Sequence, residues 1–219
     1  MRDVQLSLYD LLGYIIPGFI LFAGVFEIFN LSNVFESKIN LFMSITPTQW
    51  VVLIIISYII GHCLHSFSNL TLDRFLGYPP KRYFDKKFKT YFNDYQMKEI
   101  STKILIISGM PVDKREQDEI TLIKSSYWLC YTYIINNSKN SLSPIFLSLT
   151  GFYRGLVVSF ALLTILAFIR IIFFVDLFKS IHLFVFFILF VLFSIRTFRF
   201  FDYLTNTVYT EFLIIKEEK

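Results

Sequence analysis

The sequence predicts an all-α integral membrane protein with four transmembrane helices and a cytoplasmic, mainly helical domain between the second and third. Three observations predict it. From Gly155 to Ile195 two long apolar runs are separated only by the link VDLFKS. A helix needs about 20 such residues to cross the hydrocarbon core, so this pair reads as a transmembrane hairpin. The chain of 219 residues is 55% hydrophobic and 19% aromatic, and its 17% of charged residues supplies little polar surface for a soluble domain of that size. The positive charge is also gathered in one place: of 21 Lys and Arg, 13 fall between Ser68 and Arg154. A formal net charge of +4 conceals that clustering.

In order along the chain, residues 1–67 form an N-terminal transmembrane pair. After a polar lead to Asp10, Leu11–Phe29 gives the first span. It is long for the apolar core of a signal peptide, Arg2 is offset by Asp3, and no A-x-A site follows, so it reads as a retained helix. Gly13, Pro17, Gly18 and Gly24 interrupt its apolar side chains; they predict a kink near Pro17 and close helix packing, with a hinge or pore lining as the sharper alternative. The second span runs from Trp50, an interfacial anchor, to Phe67. Ser57 and Gly61 are four apart and place two small residues on one face of it.

Residues 68–153 form the basic domain. The link between the first two spans has only Lys38 and the hairpin link only Lys179, so the positive-inside rule sets the middle segment and both termini in the cytoplasm. After Pro79 and Pro80, Phe84, Phe88, Tyr91, Phe92 and Tyr95 recur at helical spacing, with Lys81, Arg82, Lys86, Lys87 and Lys89 around them. This is either a core helix of a small domain or a helix lying on anionic headgroups. The run Ile104–Met110 reads as a strand or a helical turn, and periodicity does not decide. Asp113 and Glu116 have capping-box spacing ahead of a seam of Ile120, Ile123, Tyr127, Cys130 and Ile134. Asn136–Ser141 is a turn-rich linker.

The C-terminal hairpin occupies residues 154–219, with spans at 155–174 and 178–195 and a cytoplasmic tail. Ser143 and Pro144 have the chemistry of a helix start, so a helix is expected to run unbroken from Pro144 to Phe174, the third span projecting into the cytoplasm as a stalk. The fourth is expected to continue past Arg196, where Phe198, Phe201, Leu204, Val208 and Phe212 keep a helical stripe.

Polar groups inside spans are candidates for function. Glu27, Arg170 and His182 fall at similar depth and form a candidate intramembrane cluster; the competing reading is that Glu27 and Arg170 reach out to the interface. His62 and His65 are one helical turn apart and are the weak candidates for a metal site, with no third ligand placed to help them. Interfacial anchoring, or contact with the neighbouring span, explains them better. Cys63 and Cys130 have no disulfide framework. No zinc-hydrolase, nucleophile-elbow or phosphate-loop motif occurs, so neither a catalytic residue nor a cofactor is expected. The basic helix Lys81 to Lys98, interleaved with Tyr and Phe, suits RNA or nucleotide weakly, because topology alone enriches lysine there.

The opening LSLYDLLGYIIPGFILF (Leu6 to Phe22), with SYIIGHCLHSFSN (Ser57 to Asn69), resembles small multi-span bacterial membrane proteins of phage-defence operons: the accessory proteins of type VI-B CRISPR, Kiwa-like and Hailong-like systems. The resemblance covers mainly the first two spans and carries no active-site residue across. It implies an oligomeric inner-membrane effector or regulator that perturbs the membrane when a cytoplasmic partner signals infection. The expected partners are membrane lipid, further copies of the chain, a cytoplasmic protein and an RNA or nucleotide signal. Two other classes stay open: a non-conducting scaffold for a soluble enzyme, and a small membrane enzyme or transporter.

Overall fold

Backbone N–H and C=O groups in hydrocarbon must be satisfied within their own segment, which favours helices wherever the sequence is apolar for long enough. The computed structural model describes residues 2–29, 46–76, 83–109, 119–138, 141–174 and 180–215, and among them the elements are helices. In order they are α1 (Arg2–Phe29), α2 (Pro47–Leu76), a π-helical turn (Phe84–Phe88) leading into α3 (Lys89–Tyr91), α4 (Asp94–Ser108), α5 (Glu119–Ser125), α6 (Tyr127–Asn137), α7 (Ser143–Phe174) and α8 (Ser180–Ile214). Within four of them, Leu11–Phe29, Pro47–Thr71, Ser143–Phe173 and Ile181–Ile214 are long and apolar enough to cross a membrane. Large apolar side chains such as Val51, Ile55, Ile59, Phe173 and Phe184 face outward from these helices, as a lipid-solvated surface requires. The chain is a multi-pass helical membrane protein.

It divides into two units. Met1–Leu72 with Ser148–Phe198 forms a span unit, and Asp73–Leu147 with Arg199–Lys219 a helical unit. In the span unit α1 and α2 run antiparallel and meet where their side chains vanish. A Cβ on Gly18 would overlap the carbonyl oxygen of Ser57, and one on Gly61 would overlap that of Tyr14, so the two backbones are in direct contact. Without a hydrophobic drive between helices in lipid, such close van der Waals packing is what holds them together. The third partner, α7, lies parallel to α1. Gly13 faces Phe152, Gly155 abuts the Pro17 ring and Gly24 is filled by Leu163.

Pro17 therefore sits inside a helix assigned without interruption, its ring in the space that Gly155 leaves open. The Ser159 hydroxyl lies 3.0 Å from the Pro17 carbonyl oxygen and 2.9 Å from that of Gly155, positioned to donate to either. Leu156, Phe160, Leu163 and Ala167 of α7 form a buried core with Ile28, and Phe160 stacks on Phe193 of α8 at 5.3 Å.

The helical unit is built on an aromatic core. Phe84, Phe88 and Phe92 are buried, but Tyr91 and Tyr95, expected on the same stripe, are 53% and 76% exposed. The helix ends before Asn93, whose side chain accepts the Gln96 N–H while Gln96 accepts the Asn93 N–H. That capping box starts a new helix and takes Tyr95 out of the first one's phase. The run Ile104–Ser108 proves helical, closed by Gly109 at φ +67°, which answers the strand alternative. The seam behaves as expected: Ile123, Tyr127, Cys130 and Ile134 are buried and Ile120 partly so. The Asp113–Glu116 capping pair lies outside the described residues. Asn136 and Asn137 belong to α6 and Ser141 is buried, so the expected linker is helical at its start and packed at its end.

The tail predicted after the fourth span is part of this core. Phe201, Leu204, Val208, Tyr209 and Phe212 are buried, whereas Phe198 is 36% exposed and leaves the stripe. Tyr209 donates to the Ile123 carbonyl at 2.7 Å, and Lys103 donates to the Phe212 and Ile215 carbonyls at the end of α8. A cation on those free carbonyls offsets the negative end of the helix. Burial pushes the Cys130 thiol up to about 12, so it stays protonated and acts as a small apolar side chain.

The packing predicts opposite outcomes for glycines of the α1–α2 pair. Gly18→Ala and Gly61→Ala each force the α1–α2 backbones apart and are expected to cost more than about 3 kcal/mol, at the upper end of overpacking effects. Gly13→Ala, whose Cβ would meet Phe152 at an ordinary 3.9 Å, is expected to be neutral or stabilising. Thermal unfolding of the detergent-solubilised chain checks this, and equal melting points for the three variants contradict it.

Candidate functional site

Polar side chains in a lipid-facing helix bundle are rare and mostly paired inside it, so their neighbours outline the candidate site. At the α1–α2 crossing the polar groups are aromatic. His62 stacks on Tyr14 with ring centroids 4.0 Å apart, His65 meets the same ring edge-on at 5.3 Å, and Tyr58 meets His62 edge-on at 4.5 Å. The two histidines thus use their rings on Tyr14, and among the described residues no group of three His, Cys, Asp or Glu is gathered to hold a metal. Ser57 and Gly61, expected as a packing face, are the backbone-contact positions of the same crossing, and the buried Ser57 hydroxyl has no hydrogen-bond partner among the described residues.

Toward the other end of α1, Glu27 and His182 come together: His182 Nε2 is 3.7 Å from Glu27 Oε1, with both side chains partly shielded. This joins the first span to the last through a carboxylate and a titratable ring, an arrangement worth more in low dielectric than in water. Arg170 does not join that pair. The parallel register of α1 and α7, extended from Gly24 and Leu163, sets Glu27 level with Leu166 and leaves Arg170 about one turn further along. Among the described residues its Nη1 is buried without a hydrogen-bond partner, as is Nδ1 of His182.

Two polar assemblies were not evident in the sequence. Arg154 is 7% exposed, with Nε donating to Ser68 Oγ at 3.1 Å and Nη2 to Asn69 Oδ1 at 2.8 Å, tying α7 to α2. By pattern it is one more flanking cation; its only signal is its place between Gly151 and Gly155. In the helical unit the Glu211 carboxylate accepts the Ser141 and Ser143 hydroxyls and the Leu142 N–H, each at 2.6 Å. Ser143 therefore does not cap its own helix. The Ser143 N–H donates instead to Ser141 Oγ at 3.2 Å, and the Glu211 carboxylate of α8 sits at the helix start, where the dipole favours negative charge.

Of the basic patch, Lys87 pairs with Asp202 at 2.5 Å and Lys89 is exposed. Lys81, Arg82 and the Lys86 side chain lie outside the described residues. Lys87 is thus committed within the unit, which leaves Lys89 as the described cation offered to solvent from that patch. Burial, with the nearby Asp202 carboxylate adding to it, raises the Tyr83 hydroxyl well above the usual tyrosine range, and its oxygen lies 3.5 Å from Asn206 Oδ1.

These features define a class: a multi-pass helical membrane protein whose first and last spans are joined by an acid–imidazole pair, with a separate aromatic-cored helical unit. Comparison with protein-family models, with curated proteins and with solved structures gives no match.

The Glu27–His182 contact predicts measurable coupling. In a cycle of Glu27→Gln, His182→Ala and the double variant, the stabilities are expected to depart from additivity by about 0.5–1.5 kcal/mol, in the range of polar contacts between transmembrane helices. Strict additivity in the melting of the solubilised protein contradicts the pair.

Proposed function

We propose that this chain is an oligomeric effector or regulator of the bacterial inner membrane, with both termini and the helical unit in the cytoplasm, which alters membrane permeability when the helical unit receives a signal. The observation that carries this reading is the continuity of α7 and α8. α7 starts among helical-unit residues and ends among span residues, while α8 does the reverse. At their helical-unit ends both are fastened by specific bonds, Glu211 to the start of α7 and Tyr209 to Ile123. A partner that repacks this core therefore acts on the spans through unbroken helix, a shift of packed elements of the kind used in switching proteins.

The cytoplasmic side rests on the lysine distribution, and a role in anti-phage defence rests on the likeness of Leu6–Phe22 and Ser57–Asn69 to membrane proteins of defence operons. The signal is a cytoplasmic protein, an RNA or a nucleotide. The test uses purified full-length chain in liposomes of bacterial lipid loaded with dye and exposed to cytosol from phage-infected or uninfected cells. Dye release confined to infected cytosol, and reduced by Glu211→Gln, is the expected result. Binding of cytosolic components without release contradicts the effector reading and favours a non-conducting scaffold.

A further inference from the structure

We propose that the outward face of α8 binds a phospholipid with an anionic headgroup, its phosphate held by Arg196 and Arg199 and its acyl chains laid along Val185, Ile188, Leu192 and Ile195. α8 is unbroken from Ser180 to Ile214, so the spacing of these residues is set by the helix itself. Leu192, Ile195, Arg196 and Arg199 stand at positions i, i+3, i+4 and i+7 and therefore share one face. All four are exposed.

Two observations point to a lipid. The first is a change of chemistry along that face. Every exposed residue of α8 from Ile181 to Ile195 is apolar, and the first exposed charges are Arg196 and Arg199, followed one turn on by Tyr203 at 53% exposure. Cations and a tyrosine at the end of an apolar face match the headgroup level of a bilayer. The second is length. The rise from Val185 to Ile195 is about 15 Å, half of a hydrocarbon core of about 30 Å, which is the depth that the acyl chains of one leaflet fill. A headgroup-and-tail molecule meets both features, whereas a free anion leaves the apolar part of the face unused.

The charges along the face favour an anion. Each guanidinium presents five donors in a planar fork that matches a phosphate. The next carboxylate along α8 is Asp202, and Lys87 engages it at 2.5 Å. With Asp202 so occupied, the face keeps a net positive charge. Phosphatidylglycerol is therefore expected to be held in preference to phosphatidylcholine, which has the same phosphate but a compensating cation.

The test is native mass spectrometry of the full-length chain released from detergent after equilibration with phosphatidylglycerol, phosphatidylcholine or inorganic phosphate. Two cations at one headgroup correspond to a preference of about tenfold or more for phosphatidylglycerol. Arg196→Gln with Arg199→Gln is expected to abolish that preference, and Arg196→Lys with Arg199→Lys to keep part of it. Lys89→Gln with Lys98→Gln, which removes two exposed charges elsewhere, is expected to leave it unchanged. Equal retention of the two lipids by the unaltered chain, or displacement of phosphatidylglycerol by equimolar inorganic phosphate, overturns the proposal whether or not the variants fold. A folded Arg196→Gln, Arg199→Gln protein that keeps the preference, or a lysine double variant that loses it as fully, overturns it as well.

Discussion

The span unit depends on one contact, the meeting of the α1 and α2 backbones at Gly18 and Gly61. Each glycine points its missing side chain at a carbonyl of the other helix, so the approach distance is set by backbone atoms. In a bilayer this matters more than in water, because lipid tails solvate leucine as well as another helix does and only closer packing favours association. Once α1 and α2 are fixed, the rings of Tyr14, Tyr58, His62 and His65 have a common location beside the crossing. Gly155 and Gly24 then let α7 in against the opposite part of α1, and the proline that elsewhere breaks a helix becomes a packing surface.

The polar groups follow from that arrangement. A carboxylate in hydrocarbon survives through a partner, and Glu27 has His182 because α1 and α8 meet at that level. The buried Arg154 is tolerated for a similar reason, with Ser68 and Asn69 supplying acceptors. In the helical unit the same accounting appears at helix ends. Glu211 sits at the start of α7 and Lys103 at the end of α8, so the two long helices are each met at one end by a charged residue distant in sequence. The units use different physics: the span unit relies on small residues and close backbones, the helical unit on buried aromatic rings around Tyr209.

Much of the fold was legible because it follows from length and period. The four spans, the unbroken helices from Ser143 and past Arg196, the small-residue face of Ser57 and Gly61, and the seam from Ile123 to Ile134 are all local patterns. The residues that failed their expectation did so through tertiary or capping effects. Tyr95 kept the period of the preceding segment but lay beyond a reciprocal Asn93–Gln96 cap. Ser143 had the right chemistry for a cap, yet a carboxylate 68 residues away accepts its hydroxyl. For the polar cluster, depth counting brought Glu27 and His182 together but misjudged Arg170 by one turn, since interhelical register is set by which glycine meets which side chain.

The central claim, that α1 and α2 touch through Gly18 and Gly61, is tested most directly by proximity at the ring stacked beside that contact. In a Cys63→Ser background, Tyr14→Cys with His62→Cys is expected to form an intramolecular disulfide under mild oxidation, since the Tyr14 backbone already abuts Gly61 and the two native rings lie 4.0 Å apart. A failure to cross-link within one chain, in protein that remains folded in the membrane, contradicts the account.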